Sequence, residues 1–283
     1  MAVDDSYTKA LLHFNGSDTS TTFTDESGKI WTAGGTAQLD TAAKKFGTAS
    51  LLLDGNSDYI TTPDHADFNF GNGAFTVDLW ARWNALPASG GYQALWGQFA
   101  VAAPDDNTCY FRLYNDGGTY KFQFRRYCSS PSVNKLFTYT PATLVINEWY
   151  HIAFVRNGNE FKVYLNGTAV GSTVTDTLTI PDLDGVFLLG RYNGATPEQY
   201  FNGWLDEFRL SKGIARWTAD FTPPSEEYYN IEGSIIESAV ASDAMVGIAP
   251  TEYTTESAGA MATFDGYSLS SSTTESAGAM ATF

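Results

Sequence analysis

The groups in this chain best able to do chemistry are carboxylates, and their spacing decides which chemistry is open. Hydrolysis of a glycosidic bond needs two carboxyl groups flanking that one bond, one as acid and one as base or nucleophile. The adjacent pair Asp206-Glu207 is the nearest approach to such an arrangement. Neighbouring side chains of a regular strand point to opposite faces, so this pair is not expected to act together. His13, His65 and His151 sit in unrelated contexts, without a second ligand at zinc spacing. The sequence has no Gly-x-Ser-x-Gly elbow, no Gly-Lys-Ser/Thr phosphate loop and no dinucleotide fingerprint. It reads as a protein that is not an enzyme.

Charge narrows the partners. The formal net charge is −16, and no Lys or Arg follows Arg216, whereas ten Asp and Glu residues do. Phosphate binding needs the opposite sign, so nucleic acid is not an expected partner. Met1-Ala-Val-Asp-Asp-Ser-Tyr7 has neither the basic nor the apolar region of a secretory signal, and no apolar run is long enough to span a bilayer. A protein of this kind that works outside a cell is expected to leave by another route, such as lysis. Cys109 and Cys128 flank a hairpin around Asn115-Asp116-Gly117-Gly118. A loop centred between Gly118 and Thr119 sets the thiols opposite each other as a possible disulfide. An Asp116-Gly117 loop sets Cys109 opposite Phe124 instead, and both registers are open.

The elements that must position these groups are strands. Phe75 to Trp83 alternates Phe75, Val77, Leu79, Ala81 and Trp83 with Thr76, Asp78, Trp80 and Arg82, a period of two. Trp149 to Arg156 and Glu160 to Leu165 flank the turn Asn157-Gly158-Asn159, and Asn166-Gly167 marks the next one. Further strands are predicted at Ala10 to Phe14, Ser50 to Leu53, Asp58 to Thr61, Val186 to Gly190 and Gly203 to Leu210. One helical turn is predicted near Ser211 to Trp217. Aromatics at 15 % of the chain and 26 glycines suit many strands joined by tight turns, and the class is all-β, an antiparallel sandwich.

Several stretches carry a family resemblance. Phe46-Gly-Thr-Ala-Ser50, Leu53-Asp-Gly-Asn-Ser-Asp-Tyr-Ile60, Phe75-Thr-Val-Asp-Leu-Trp80, Glu148-Trp-Tyr-His-Ile-Ala-Phe-Val-Arg-Asn-Gly158 and Phe201-Asn-Gly-Trp-Leu-Asp-Glu-Phe-Arg-Leu-Ser211 occur in that order. They resemble the motifs of laminin-G-like, concanavalin A-like lectin/glucanase domains. The form running on through Trp217-Thr-Ala-Asp-Phe-Thr-Pro-Pro224 resembles versions found in tailed-phage virion proteins.

That resemblance implies a jelly roll of two packed antiparallel sheets that binds glycans or proteins at the rim or on one face. The Glu-x-Asp-x-(x)-Glu strand of the hydrolytic relatives is missing. Calcium at the rim is implied as a possible cofactor, with Asp25 and Asp206 as its ligands; Asp54 and Asp58 read rather as turn caps. Glycan binding would use exposed aromatics with polar neighbours. Tyr92 and Trp96 in one loop, and Arg191, Tyr192 and Tyr200 in another, are the candidates, with hairpin packing as the competing reading. Trp80, Trp83, Trp149 and Trp204 lie on strand patterns, and most of them are assigned to packing.

The chain ends in a repeat. Thr254 to Phe264 recurs letter for letter as Thr273 to Phe283, and Glu237-Ser238-Ala239, Ala241 and Met245 mark a diverged earlier copy. Units this short cannot bury a core alone and order by stacking on each other or on a partner. The expected strand over Ser257 to Phe264, with a flexible linker as the alternative, nominates Glu256, Met261, Phe264, Glu275, Met280 and Phe283 as assembly residues. The expected organisation is an arm at 1–6, a jelly roll at 7–225 and an acidic repeat segment at 226–283. Function is expected to be structural and adhesive, in a phage capsid decoration or tail fibre, with other virion proteins and further copies of the chain as partners. The location this implies is a virion made in the host cytoplasm. Host-surface glycan recognition by a lectin module is the alternative.

Overall fold

The structure is a computed structural model that describes residues 6–101, 107–129, 132–141, 143–177, 179–192, 199–228, 259–264 and 267–272. In chain order, the first strands are β1 (Thr8–Leu12), β2 (Thr32–Gly34), β3 (Gln38–Asp40), β4 (Ser50–Asp54), β5 (Tyr59–Thr62) and β6 (Phe75–Trp83). Next come β7 (Tyr92–Phe99), β8 (Asn107–Asp116), β9 (Thr119–Ser129), β10 (Ser132–Tyr139), β11 (Trp149–Asn157), β12 (Glu160–Leu165) and β13 (Thr168–Thr175). The series closes with β14 (Phe187–Leu189), β15 (Arg191–Tyr192), β16 (Gln199–Tyr200), β17 (Asn202–Lys212), β18 (Gly259–Phe264) and β19 (Tyr267–Ser272).

Two antiparallel sheets form the body. An eight-stranded sheet runs β13-β12-β11-β6-β17-β4-β3, with β1 paired to the second half of β17, and a seven-stranded sheet runs β10-β9-β8-β7-β14-β5-β2. This is the expected all-β jelly-roll sandwich. The core lies between the sheets and is aromatic. Phe154 of β11 stacks on Phe124 of β9 with centroids 4.4 Å apart and lies within 6 Å of Trp96 and Phe111. The inward set of β6, Phe75, Val77, Leu79, Ala81 and Trp83, is buried as its alternation requires.

The outward set of β6 is largely buried too, which alternation alone does not show. The segment after β17 folds back over this sheet: Arg216 donates its N–H to Thr76 Oγ1 at 3.0 Å, and the Tyr228 hydroxyl bonds Asp78. Trp217 and Phe221 stack 4.0 Å apart over Ala153, Val155 and Tyr164. No helical turn forms near Ser211 to Trp217, because Ser211 and Lys212 still pair with β6 as part of β17. The helical turn described instead is a 3-10 turn at Ala66–Phe68.

A β-bulge interrupts β17 between Asp206 and Arg209, with Glu207 at φ 49°. Leu205 and Phe208 both point into the core. Asp206 and Glu207 are therefore left together on the far side of the sheet, which corrects the expectation that they face apart.

At the β8–β9 hairpin the turn is Gly117-Gly118, with φ of 60° and 98°, and Asp116 pairs with Thr119. Cys109 thus faces Arg126, Cys128 faces Asn107, and no disulfide joins the two. Neither register expected from the sequence is the one formed; the two glycines take the left-handed positions of the turn and fix it one step between them.

The chain divides into two compact units, Met1–Ile231 and Glu232–Phe283. Within the second, β18 and β19 form an antiparallel hairpin in which Gly259 faces Ser272 and Phe264 faces Tyr267. Met261 and Phe264 belong to this hairpin; Glu256, Glu275, Met280 and Phe283 lie outside the described residues.

Candidate ligand-binding face

The face of the seven-stranded sheet turned away from the core is built from the alternate residues of β7, β8 and β9. On β8 the inward Cys109, Phe111 and Leu113 belong to the core, so Tyr110, Arg112 and Tyr114 stand on the outer face. The ladder sets Arg125 opposite Tyr110, Gln123 opposite Arg112 and Lys121 opposite Tyr114 on one side. On the other side it sets Tyr92 opposite Tyr114 and Ala94 opposite Arg112. The result is a field of tyrosine, arginine and glutamine.

Arg112 is its centre. Its guanidinium donates Nε–H to Gln123 Oε1 at 3.0 Å and Nη1–H to Gln199 Oε1 at 3.2 Å, and it lies 3.8 Å from the Tyr92 ring centroid and 5.0 Å from that of Tyr110. Tyr92 in turn stacks on Tyr114 at 4.6 Å. One strand over, Arg125 donates to Asn134 Oδ1 at 3.1 Å and lies 5.3 Å from the Tyr127 ring. Neither arginine has a carboxylate partner among the described residues. Burial pulls Arg112 below its ordinary pKa, and the Arg125 charge works in the same direction against the neighbouring tyrosines. Burial also pulls on Arg125, but the Tyr110 hydroxyl beside it overrides this and holds it above its usual value.

The short β15–β16 hairpin overlies one end of this face. Tyr192 packs edge-on against Tyr110 at 4.5 Å and against Phe99 at 5.1 Å, while Arg191 lies over Tyr59 at 4.6 Å and Tyr200 at 5.4 Å. Four of the five candidate ligand residues, Tyr92, Arg191, Tyr192 and Tyr200, thus belong to one surface, although Tyr192 is mostly buried there. The fifth does not. Trp96 is not a loop residue; a register shift in β7 between Ala94 and Trp96 turns it into the core, 1 % exposed against Phe111, Phe124 and Phe187.

Arg112, Gln123, Arg125 and Tyr114 carry no motif of their own and are missing from the candidates named from sequence. Their signal is a set of outward strand positions filled by Tyr, Arg and Gln, and it shows only once the β8–β9 register is set.

The residues expected to hold calcium do not fit a cation. Asp25 Oδ1 accepts N–H bonds from Leu11 and Ser27, and its Oδ2 accepts the Trp31 indole N–H at 2.9 Å. Asp206 Oδ2 accepts the N–H of Lys45 and of Phe46, and its Oδ1 that of Glu207. Each carboxylate is ringed by donors that tie a loop to a strand, where a calcium ion requires six or more oxygens. Asp54 caps its own turn by accepting the N–H groups of Asn56, Ser57 and Asp58, and Asp58 ties that turn to Thr36.

One group of three metal-capable side chains occurs among the described residues: His13, Glu207 and Glu227. It is already closed by hydrogen bonds, His13 Nδ1 to Glu207 Oε1 at 2.8 Å, the Tyr228 N–H to Glu207 Oε2 at 2.9 Å, and Asn15 to Glu227. A cleft of about 360 Å³ next to it is lined by Arg209, Arg216, Trp217 and Thr222 to Glu227. Its arginines are engaged, Arg209 with Asp78 and Arg216 with Ser211 and Thr8.

No curated protein matches the sequence. Among solved structures, the chain is similar to domain 4 of AbnA, a GH43 extracellular arabinanase from Geobacillus stearothermophilus, in complex with arabinotriose. The identity is 22 % and the TM-score 0.54, over 75 % of this chain and 95 % of that one. It is also similar to the binding domain of Paraclostridial Mosquitocidal Protein 1, at 14 % identity and TM-score 0.53, over 73 % of this chain and 49 % of that one. A third likeness is to the binding domain of Botulinum Neurotoxin DC in complex with SialylT, at 11 % identity and TM-score 0.52, over 83 % of this chain and 52 % of that one. The chain spans about half the length of these two toxin domains. At such identities the likeness is one of fold. A family model described as the concanavalin A-like lectin/glucanases superfamily matches residues 54–216, more than half of the sequence, and the chain belongs to that superfamily.

Proposed function

We propose that the chain is a non-enzymatic saccharide-binding display protein that uses the outer face of β7, β8 and β9 as its ligand surface. The observation that carries this reading is the Tyr92–Arg112–Gln123–Gln199 assembly. Amides, a guanidinium and ring edges held in fixed positions suit the hydroxyls and ring faces of a sugar. The arabinotriose complex of the AbnA domain and the SialylT complex of the neurotoxin domain lend support by analogy of fold. Hydrolysis is not part of the reading, because Asp206 and Glu207 are buried and occupied by N–H donors and by His13.

The repeats give the display its anchor. In this reading the acidic segment after Arg216, with its duplicated Thr254 to Phe264, attaches the jelly roll to other subunits of a tailed-phage virion, as capsid decoration or tail fibre, assembled in the host cytoplasm. Among the described residues β18 and β19 pair only with each other, which leaves each an edge for a further strand.

Two measurements test the reading. A glycan array probed with the full chain and with Tyr92→Ala is expected to give hits that the substitution weakens about tenfold, the scale of one good aromatic contact. Hits unaffected by Tyr92→Ala would move the ligand surface elsewhere. Light scattering of the full chain beside one ending at Ile231 is expected to give a multimer that falls to monomer on truncation; monomers in both cases would remove self-assembly through the repeats.

A further inference from the structure

We infer that the β7–β8–β9 face selects saccharides bearing an acidic group, a carboxylate or sulfate, which docks between Arg112 and Arg125. The inference rests on the reading that this face binds saccharide, and it adds the ligand's charge.

Two observations carry it. First, Arg112 and Arg125 stand on adjacent strands, at positions one pair apart on the same face, since Arg112 faces Gln123 and Arg125 faces Tyr110. Among the described residues the hydrogen-bond partners of Arg112 are the neutral amides of Gln123 and Gln199, and that of Arg125 is the amide of Asn134, with the neutral Tyr110 hydroxyl beside it. Two like charges with only neutral partners repel each other and are costly to desolvate. An acidic ligand group supplies the missing countercharge, and a guanidinium fork suits its paired oxygens.

Second, Arg112 is held by side-chain amides. The other buried arginines are held differently: Arg209 pairs with Asp78, while Arg126 and Arg156 donate to backbone carbonyls. Arg112, only 9 % exposed, is held by two amides that are themselves buried. These amides orient the guanidinium without neutralising it, which is how a fixed donor for an external anion is made. A long polyanion such as nucleic acid is opposed by the net charge of −16, whereas a short acidic sugar meets only this face.

The test is a glycan array in which each acidic oligosaccharide stands beside its neutral parent, for example sialyllactose beside lactose, probed with the full chain and with Arg125→Gln, Arg112→Gln, Tyr92→Ala and Lys162→Gln. Lys162 lies on β12 of the other sheet and controls for net charge. The expected result is binding of acidic members about tenfold or more above their parents, a preference that 1 M salt shrinks. Arg125→Gln should abolish the preference with the fold intact by circular dichroism, and Lys162→Gln should leave it unchanged. Because Arg112 is buried and its loss risks the fold, Arg125→Gln decides. Equal binding of acidic and neutral sugars, both weakened by Tyr92→Ala, would overturn the inference and leave the saccharide-binding face standing. Binding indifferent to all three face substitutions, or no binding, would overturn both.

Discussion

The Arg112 guanidinium lies 3.8 Å from the centre of the Tyr92 ring, although the ladder pairs Arg112 with Ala94 and Tyr92 with Tyr114. The contact is diagonal across two strands and exists because Ala94 leaves room above itself for the long arginine side chain. With Tyr92 also stacked on Tyr114, the ring has a guanidinium and a second ring as neighbours. Lysine keeps the charge but has no planar face to stack on Tyr92, and its donors radiate from one nitrogen instead of the fork that meets Gln123 and Gln199. Arg112→Lys is expected to cost about 1–2 kcal/mol in urea denaturation; a change within about 0.3 kcal/mol would show that the assembly is not structural.

Asp78 and Arg209 form a fully buried bidentate pair, Nε to Oδ1 at 3.1 Å and Nη2 to Oδ2 at 3.0 Å, with the Tyr228 hydroxyl also on Asp78. Removing one charge strands the other, so Asp78→Asn should cost about 3–5 kcal/mol. Burial alone would raise the Asp78 pKa; Arg209, helped by His151, overrides it and holds the carboxyl well below its ordinary value. A depressed carboxylate contributes stability that is present above its unfolded pKa and lost as pH falls through the folded one. The destabilisation by Asp78→Asn is therefore expected to be full at pH 7 and to shrink below about pH 4, measured by denaturation at each pH.

His13 gives a pH signature on the acidic rim. Burial alone would lower its pKa, but its bond to Glu207 and the Glu207 charge raise it above 6.5. In Glu207→Gln the largest raising influence is gone while burial and the weaker pull of Glu227 and Glu26 remain, so the His13 midpoint in an NMR titration should fall from its raised value. An unchanged midpoint would mean that the His13–Glu207 contact does not form in solution. By the same sign rule, the pair stabilises the fold below the unfolded histidine pKa, and this contribution fades as pH rises through the raised one.

Gly167 holds down the segment that covers the eight-stranded sheet. Its φ is +79°, its carbonyl accepts the Phe221 N–H at 2.9 Å, and a Cβ here would meet the Phe221 carbonyl oxygen at 1.8 Å. Gly167→Ala is expected to cost about 2 kcal/mol or more and to free the stacked Trp217–Phe221 pair. Limited trypsin digestion reads this as early cleavage after Arg216, where the parent protein should resist.

Much of the sandwich was legible in alternation and turn residues. Phe75 to Trp83 alternates, and Asn166-Gly167, at φ 49° and 79°, closes β12 to β13 as such a pair should. What failed were local departures from alternation. The bulge at Asp206 put two acids on one side, and the register shift after Ala94 sent Trp96 inward. A bulge adds one residue without a composition signature of its own. The burial of Asp78 and His151 was also hidden, because it depends on Tyr228 returning from far along the chain. For the ligand face, the loop aromatics led only to its border, Tyr92 and the β15–β16 hairpin. Its centre, Arg112 with Gln123, becomes visible once the β8–β9 register is known.

The central claim is that ligand is held on the β7–β8–β9 face, and a crystal structure of the protein soaked with the tightest-binding oligosaccharide from the array tests it most directly. The account predicts sugar density over Tyr114, Arg112 and Arg125, with an acidic group within hydrogen-bonding distance of a guanidinium. Sugar bound at the rim beside Asp25 or Asp206, or in the cleft beneath Trp217, with the β7–β8–β9 face bare, would contradict it.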